Sequence, residues 1–98
     1  MRVRHTEPKL ERLEVEAGYT AGFGGDVVRG YRKVMAWIRG ARDERDFYGL
    51  KSLHYEKLQG KRAGERSMRL NRQFRLVIRI EPGEEGKTVV VLGIEDYH

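Results

Sequence analysis

Cysteine is missing from the chain, which excludes disulfides and thiolate chemistry and fits a reducing compartment. Long hydrophobic stretches are missing too. The longest apolar run, Val89-Val90-Val91-Leu92-Gly93-Ile94, is six residues, far short of the roughly 20 that a membrane-spanning helix needs. Near the N-terminus Arg2, Arg4 and Glu7 leave no apolar core for a signal peptide. There are no internal repeats and no low-complexity tract. The glycine-rich stretch 18–25 lacks the Gly-Lys-Ser/Thr ending of a phosphate-binding loop, so it reads as a linker. No pair among His54, Asp96 and His98 has the close spacing of a structural zinc motif. The expectation is a cytoplasmic protein without membrane contact, metal or cofactor. Its 98 residues suffice for one domain with a modest core, 1–98, and not for two.

What the chain has is unevenly spread charge. Residues 1–50 carry ten basic and eight acidic side chains, residues 51–80 nine and two, and residues 81–98 one and five. A basic block this dense implies a polyanionic partner, because Lys and Arg that neutralise phosphates release condensed counterions. A solvated basic face is the plainer alternative. Beyond the apolar run and Glu95 stand Asp96, Tyr97 and His98, three groups able to move protons. Proton-transfer groups beside a positive field suggest chemistry on a phosphate ester.

Periodicity predicts the elements. Val3 marks a short edge strand. Thr6 as N-cap, Pro8 in the first turn, and Leu10, Leu13 and Ala17 on one face mark a short helix ending near Gly18. Asp26 is expected to cap a longer helix whose apolar stripe is Val27, Tyr31, Val34, Met35 and Ile38. Trp37 lies off that stripe and is expected under the first helix or the loop; His5 is expected on the surface. Phe47, Tyr48, Leu50 and Leu53 anchor an irregular stretch. From Arg66 the period becomes two. Met68, Leu70, Phe74, Leu76, Ile78 and Ile80 point one way, and Arg69, Asn71, Gln73, Arg75 and Arg79 the other. A turn at Asn71-Arg72-Gln73 makes 66–70 and 74–80 a hairpin, with Arg69 directly opposite Arg75. Facing guanidiniums cost stability unless an anion lies near them. After a turn at 82–86 the last strand, 87–95, completes a three-stranded meander in an α+β domain.

Three ordered segments carry a family resemblance. Leu58-Gln59-Gly60-Lys61-Arg62-Ala63-Gly64, then Ser67-Met68-Arg69-Leu70-Asn71-Arg72-Gln73-Phe74-Arg75-Leu76, then Glu95-Asp96-Tyr97-His98 resemble the HigB branch of the RelE/ParE toxin superfamily. The likeness spans 54–98; the N-terminal half agrees in outline, as a helical hairpin. It implies a RelE-like microbial ribonuclease fold, with two N-terminal helices packed on a small, mostly antiparallel β-sheet. It also implies a toxin that cuts mRNA in the ribosomal A site without a metal, the 2′-OH attacking the adjacent phosphate to leave a 2′,3′-cyclic phosphate. The implied partners are a HigA-like helix-turn-helix antitoxin and the small ribosomal subunit with its 16S rRNA and mRNA. Catalytic roles carry over to His54, Lys57, Arg75, Asp96, Tyr97 and His98, and Arg69 matches a position that varies among relatives.

The residue types suit that chemistry. Attack by a 2′-OH needs a base, an acid for the departing 5′-oxygen, and cations for the phosphate oxygens. His98 or Asp96 can be the base, with Lys57 or His54 assisting; which is base and which acid stays open. Arg69 and Arg75 suit phosphate because the guanidinium fork matches its oxygens. Tyr97 can stack on a base or hydrogen-bond the 2′-OH. Lys51, Lys61, Arg62, Arg66, Arg72 and Arg79 are the expected RNA and ribosome contacts. Two other classes fit the same residues: a ParE-like gyrase inhibitor without catalysis, and a non-enzymatic RNA- or ribosome-binding module.

Overall fold

The apolar run at the end of the chain organises the protein. In a computed structural model, which describes residues 1–97, it forms the long strand β5 (Gly86–Asp96), with strands on both sides. β1 (Arg2–His5) lies parallel to it on one side. On the other side follow, all antiparallel, β4 (Phe74–Gly83), β3 (Glu65–Arg69) and the two-residue β2 (Glu56–Lys57). The sheet order is β1-β5-β4-β3-β2. The expected meander is therefore the middle of a five-stranded sheet. β1 is the edge strand expected at Val3, running parallel to β5, and β2 is an addition.

Helices α1 (Pro8–Val15) and α2 (Gly25–Gly40) cover one face of this sheet. The predicted stripe of α2 is buried throughout, joined by Val28. It meets Leu10 and Leu13 from α1 and Met68, Leu76, Ile78, Val89 and Val91 from the sheet in one core. Tyr31 ties the helices together by donating to the Leu10 carbonyl at 2.8 Å. Burial of that phenol pushes its pKa up, so it stays protonated. A third short helix, α3 (Arg45–Gly49), and a 3-10 turn at Lys51–Leu53 occupy the stretch expected to be irregular, burying Phe47 and Leu53.

Local expectations fail where a distant partner claims the residue. Thr6 does not cap α1; its hydroxyl bonds the Val91 and Leu92 carbonyls of β5. Asp26 lies inside the first turn of α2 and accepts from the Asn71 amide at 2.7 Å. Ala17 is exposed beyond the end of α1. His5 is not on the surface: its side chain is 7 % exposed, and Nε2 lies 3.1 Å from Glu14 Oε1. The loop after α1 is pinned by Arg32, whose guanidinium donates to the carbonyls of Leu13, Glu16, Ala17 and Tyr19. Carbonyls at a helix end have no intrahelical partner, and Arg32 serves them alongside the Tyr19 N–H, which bonds the Glu16 carbonyl at 3.1 Å.

Candidate functional site

Residues paired across neighbouring strands share a face, and the face turned away from the helices carries the hairpin arginines. The register places Arg69 opposite Arg75, and Arg75 opposite Glu95. The predicted juxtaposition of the two guanidiniums thus exists, but their environments differ. Arg75 is buried, 6 % exposed. Its Nε donates to Ser67 Oγ at 2.9 Å, and one terminal nitrogen donates to the His54 carbonyl and, at 3.4 Å, to that of Ser67. The Tyr97 ring covers it, centroid 4.8 Å from the guanidinium carbon. Arg69 donates to the Asn71 carbonyl at 3.1 Å, and its other arm lies 3.4 Å from His54 Nε2.

Among the described residues neither arginine has a carboxylate partner. A buried charge without a counter-ion is costly, and the obvious counter-ion is at hand in Glu95. That carboxylate is taken by another cation. Arg62 grips it with two bonds, 2.7 and 2.6 Å, while also bonding Glu65. Arg62 holds the Glu95 carboxyl below its ordinary pKa, against the opposing effect of burial. The acid opposite Arg75 is therefore ionised yet turned aside, and the two cations are held by neutral groups.

His54 joins them. It adopts a left-handed conformation, φ 46° and ψ 53°, which costs a non-glycine residue about 1–3 kcal/mol. That geometry aims its carbonyl at Arg75 while the exposed ring reaches Arg69. A guanidinium only donates, so Nε2 can bond Arg69 only as an acceptor. Tyr97 is held by its backbone, whose N–H donates to the Gln73 carbonyl at 2.6 Å. Its hydroxyl sits 3.5 Å from Glu56 Oε2.

The other expected residues fall less centrally. Lys57 is paired with Arg66, and Glu56 with Ser67. Glu56, not Lys57, therefore faces Tyr97 and the arginines. Asp96 pairs with Phe74 and accepts from the Gln73 amide at 2.8 Å, so its side chain leaves the sheet on the face opposite Tyr97. His98 lies outside the described residues. Of the six expected ribosome contacts, Lys51, Lys61 and Arg72 are exposed with no ion pair among the described residues. Arg62 serves Glu95 and Glu65, Arg79 serves Glu81, and Arg66 serves Glu44. Burial works to raise the Glu44 carboxyl, but the Tyr55 hydroxyl and Arg66 outweigh it and hold the group low.

Sequence reasoning missed Glu56 and Ser67. Ser67 had a detectable signal, because it alternates with Arg69 on the arginine face. Glu56 had none, since β2 is too short to show a period. Among the described residues no three His, Asp or Glu side chains converge as a metal-binding group. No helix there is long and apolar enough to cross a membrane.

No protein-family model matches the chain, and no curated protein sequence does. Solved structures do. The chain is similar to a YoeB/ParE toxin from Agrobacterium tumefaciens, with a TM-score of 0.63 at 17% identity over 100% of both chains. It is also similar to the toxin–antitoxin complex RelBE2 from Mycobacterium tuberculosis, with a TM-score of 0.50 at 22% identity, over 98% of this chain and 96% of that one. At these identities the likeness is one of fold. The expected architecture, helices on a mostly antiparallel sheet as in RelE/YoeB-like toxins, is the one observed.

Proposed function

We propose that the chain is a HigB-like toxin of a type II toxin–antitoxin pair, a metal-independent endoribonuclease that cleaves mRNA in the ribosomal A site. The observation that carries this reading is the pair Arg69 and Arg75, facing each other without a carboxylate among the described residues while Arg62 withholds Glu95. An RNA phosphate between them would complete the missing pairing with charge-assisted bonds. A partly buried site makes such bonds worth more in the transition state, where negative charge builds on the phosphate.

The remaining groups suit the proton transfers. When the 2′-OH attacks phosphorus, the O2′–P bond forms and the P–O5′ bond breaks, leaving a 2′,3′-cyclic phosphate and a 5′-hydroxyl. The 2′-OH proton passes to a base, and the departing O5′ takes one from an acid. The lone pair of His54 Nε2, beside Arg69, suits the first role. Tyr97, stacked on Arg75 and reaching towards Glu56, suits an acid or a platform for a base of the RNA. Lys57, Asp96 and His98 remain candidates for the same transfers. Lys51, Lys61 and Arg72 offer 16S rRNA cations without an ion pair among the described residues, and Arg62, Arg66 and Arg79 can do so only by giving up internal partners. The antitoxin reading is supported by the fold shared with the RelBE2 complex.

Induced expression with mapping of mRNA ends tests this reading. Codon-linked cleavage lost in Arg75→Ala supports it. Growth arrest with intact mRNA and altered DNA supercoiling would replace it with gyrase inhibition.

A further inference from the structure

The chain has a single tryptophan, Trp37, and it is 42 % exposed on α2. It does not pack under α1 or the glycine-rich loop. It faces the other way, into a cleft of about 280 Å³ between α2 and the segment that carries His54. Leu50 and Leu53 line the cleft with Trp37, while Lys33, His54 and Arg69 stand among its polar groups. None of its lining residues is acidic. A second hollow beside Trp37 contains Asp46 and touches neither hairpin arginine.

An aromatic wall, aliphatic sides and cations with no carboxylate match a nucleotide, whose base is flat and apolar-faced and whose phosphate is anionic. Two of the lining residues, Arg69 and His54, already belong to the candidate site. We propose that this cleft receives a base of the RNA strand, stacked on Trp37, from a nucleotide neighbouring the phosphate held by Arg69 and Arg75. The inference rests on the nuclease reading and deepens it. Trp37 is a substrate-positioning residue, and Lys33 meets the next phosphate on the far side of the cleft.

Trp37 supplies its own signal. The full chain is titrated at low ionic strength with a 2′-O-methyl RNA tetranucleotide, which cannot be cleaved, while tryptophan fluorescence is followed. The expected result is saturable quenching, lost when the oligonucleotide lacks bases. Trp37→Ala should weaken binding, read by anisotropy, by about 5- to 150-fold, and Trp37→Phe should restore most of it. Binding without quenching, no binding, or equal affinity in Trp37→Ala overturns the proposal. Weakened capture of a protein partner at unchanged RNA affinity overturns it as well and assigns the cleft to that partner. Wild-type cleavage on ribosomes is measured in parallel. Cleavage without quenching removes only the base site, and quenching without cleavage removes only the nuclease.

Discussion

Gly30 lets α2 approach the β3–β4 turn, and replacing it with alanine should be costly. A Cβ built there would lie 2.3 Å from the Leu70 carbonyl oxygen and 3.0 Å from its carbon. The obstacle is backbone, and it is fixed. The N–H groups of Leu70 and Asn71 both donate to the Phe74 carbonyl, so the turn cannot yield without disturbing its own bonds. Overpacking of this kind costs about 1–3 kcal/mol, and a rigid obstacle belongs at the upper end. Alanine returns up to about 1 kcal/mol through helix propensity. The net is a loss of about 1–2 kcal/mol, or roughly 4–16 °C in Tm for a domain of this size. Gly40, the last residue of the same helix, is the control: nothing lies within 4 Å of its Cβ position. Gly40→Ala should be neutral or slightly stabilising. Thermal and denaturant unfolding of both variants checks this, and a Gly30→Ala protein as stable as Gly40→Ala would refute the argument. Leu70 adjoins Arg69, so Gly30→Ala should also lower cleavage in samples that remain folded.

Other positions give independent tests. Arg62→Ala should release Glu95 to pair with Arg75 and reduce cleavage by about tenfold or more, a 1.4 kcal/mol effect; adding Glu95→Ala should restore much of the activity, and a double variant no better than the single would contradict this arrangement. His54→Gly should be about 1 kcal/mol more stable than His54→Ala, because glycine tolerates the left-handed backbone, while both lose cleavage; equal unfolding midpoints would show that the conformation carries no strain. Glu14 is held below its ordinary value of 4.5 chiefly by its bonds to Arg39, with burial opposing, and Glu44 is also lowered. The unfolded chain therefore takes up protons first as pH falls, so the stability these groups contribute is present above about pH 4.5 and lost progressively below it. Tm measured from pH 7 to pH 3 should fall in that range, and less steeply in Glu14→Gln.

The sequence revealed features that depend on local period. The α2 stripe and the hairpin register follow from spacings of 3.6 and 2, and the register alone brought Arg69 opposite Arg75. Features that depend on distant partners were hidden. The edge strand at Val3 was legible, but its parallel pairing with β5 across almost the whole chain was not. His5 reads as a surface residue until α1 places Glu14 beside it. Arg62 and Arg66 read as free cations because Glu95 and Glu44 lie elsewhere in the chain, whereas the acid of Arg79, Glu81, is two residues along the same strand. The same ion pairs shrink the basic field that composition suggested. They also sharpen the site, because among the described residues Arg75 has no acidic partner. Lys57 and Glu56 differ by one position, and in a strand one position reverses the face.

The central claim is that Arg69 and Arg75 hold the scissile phosphate of an mRNA. Its most direct test is cleavage of ribosome-bound mRNA by purified protein, comparing wild type with Arg75→Lys and identifying the product ends. Lysine keeps the charge but cannot reach Ser67 and the His54 carbonyl together or offer a planar fork. The account predicts 2′,3′-cyclic phosphate ends from wild type and a loss of about 10²–10³-fold in Arg75→Lys. Cleavage by Arg75→Lys at the wild-type rate, or wild-type products ending in a 3′-hydroxyl, would contradict it.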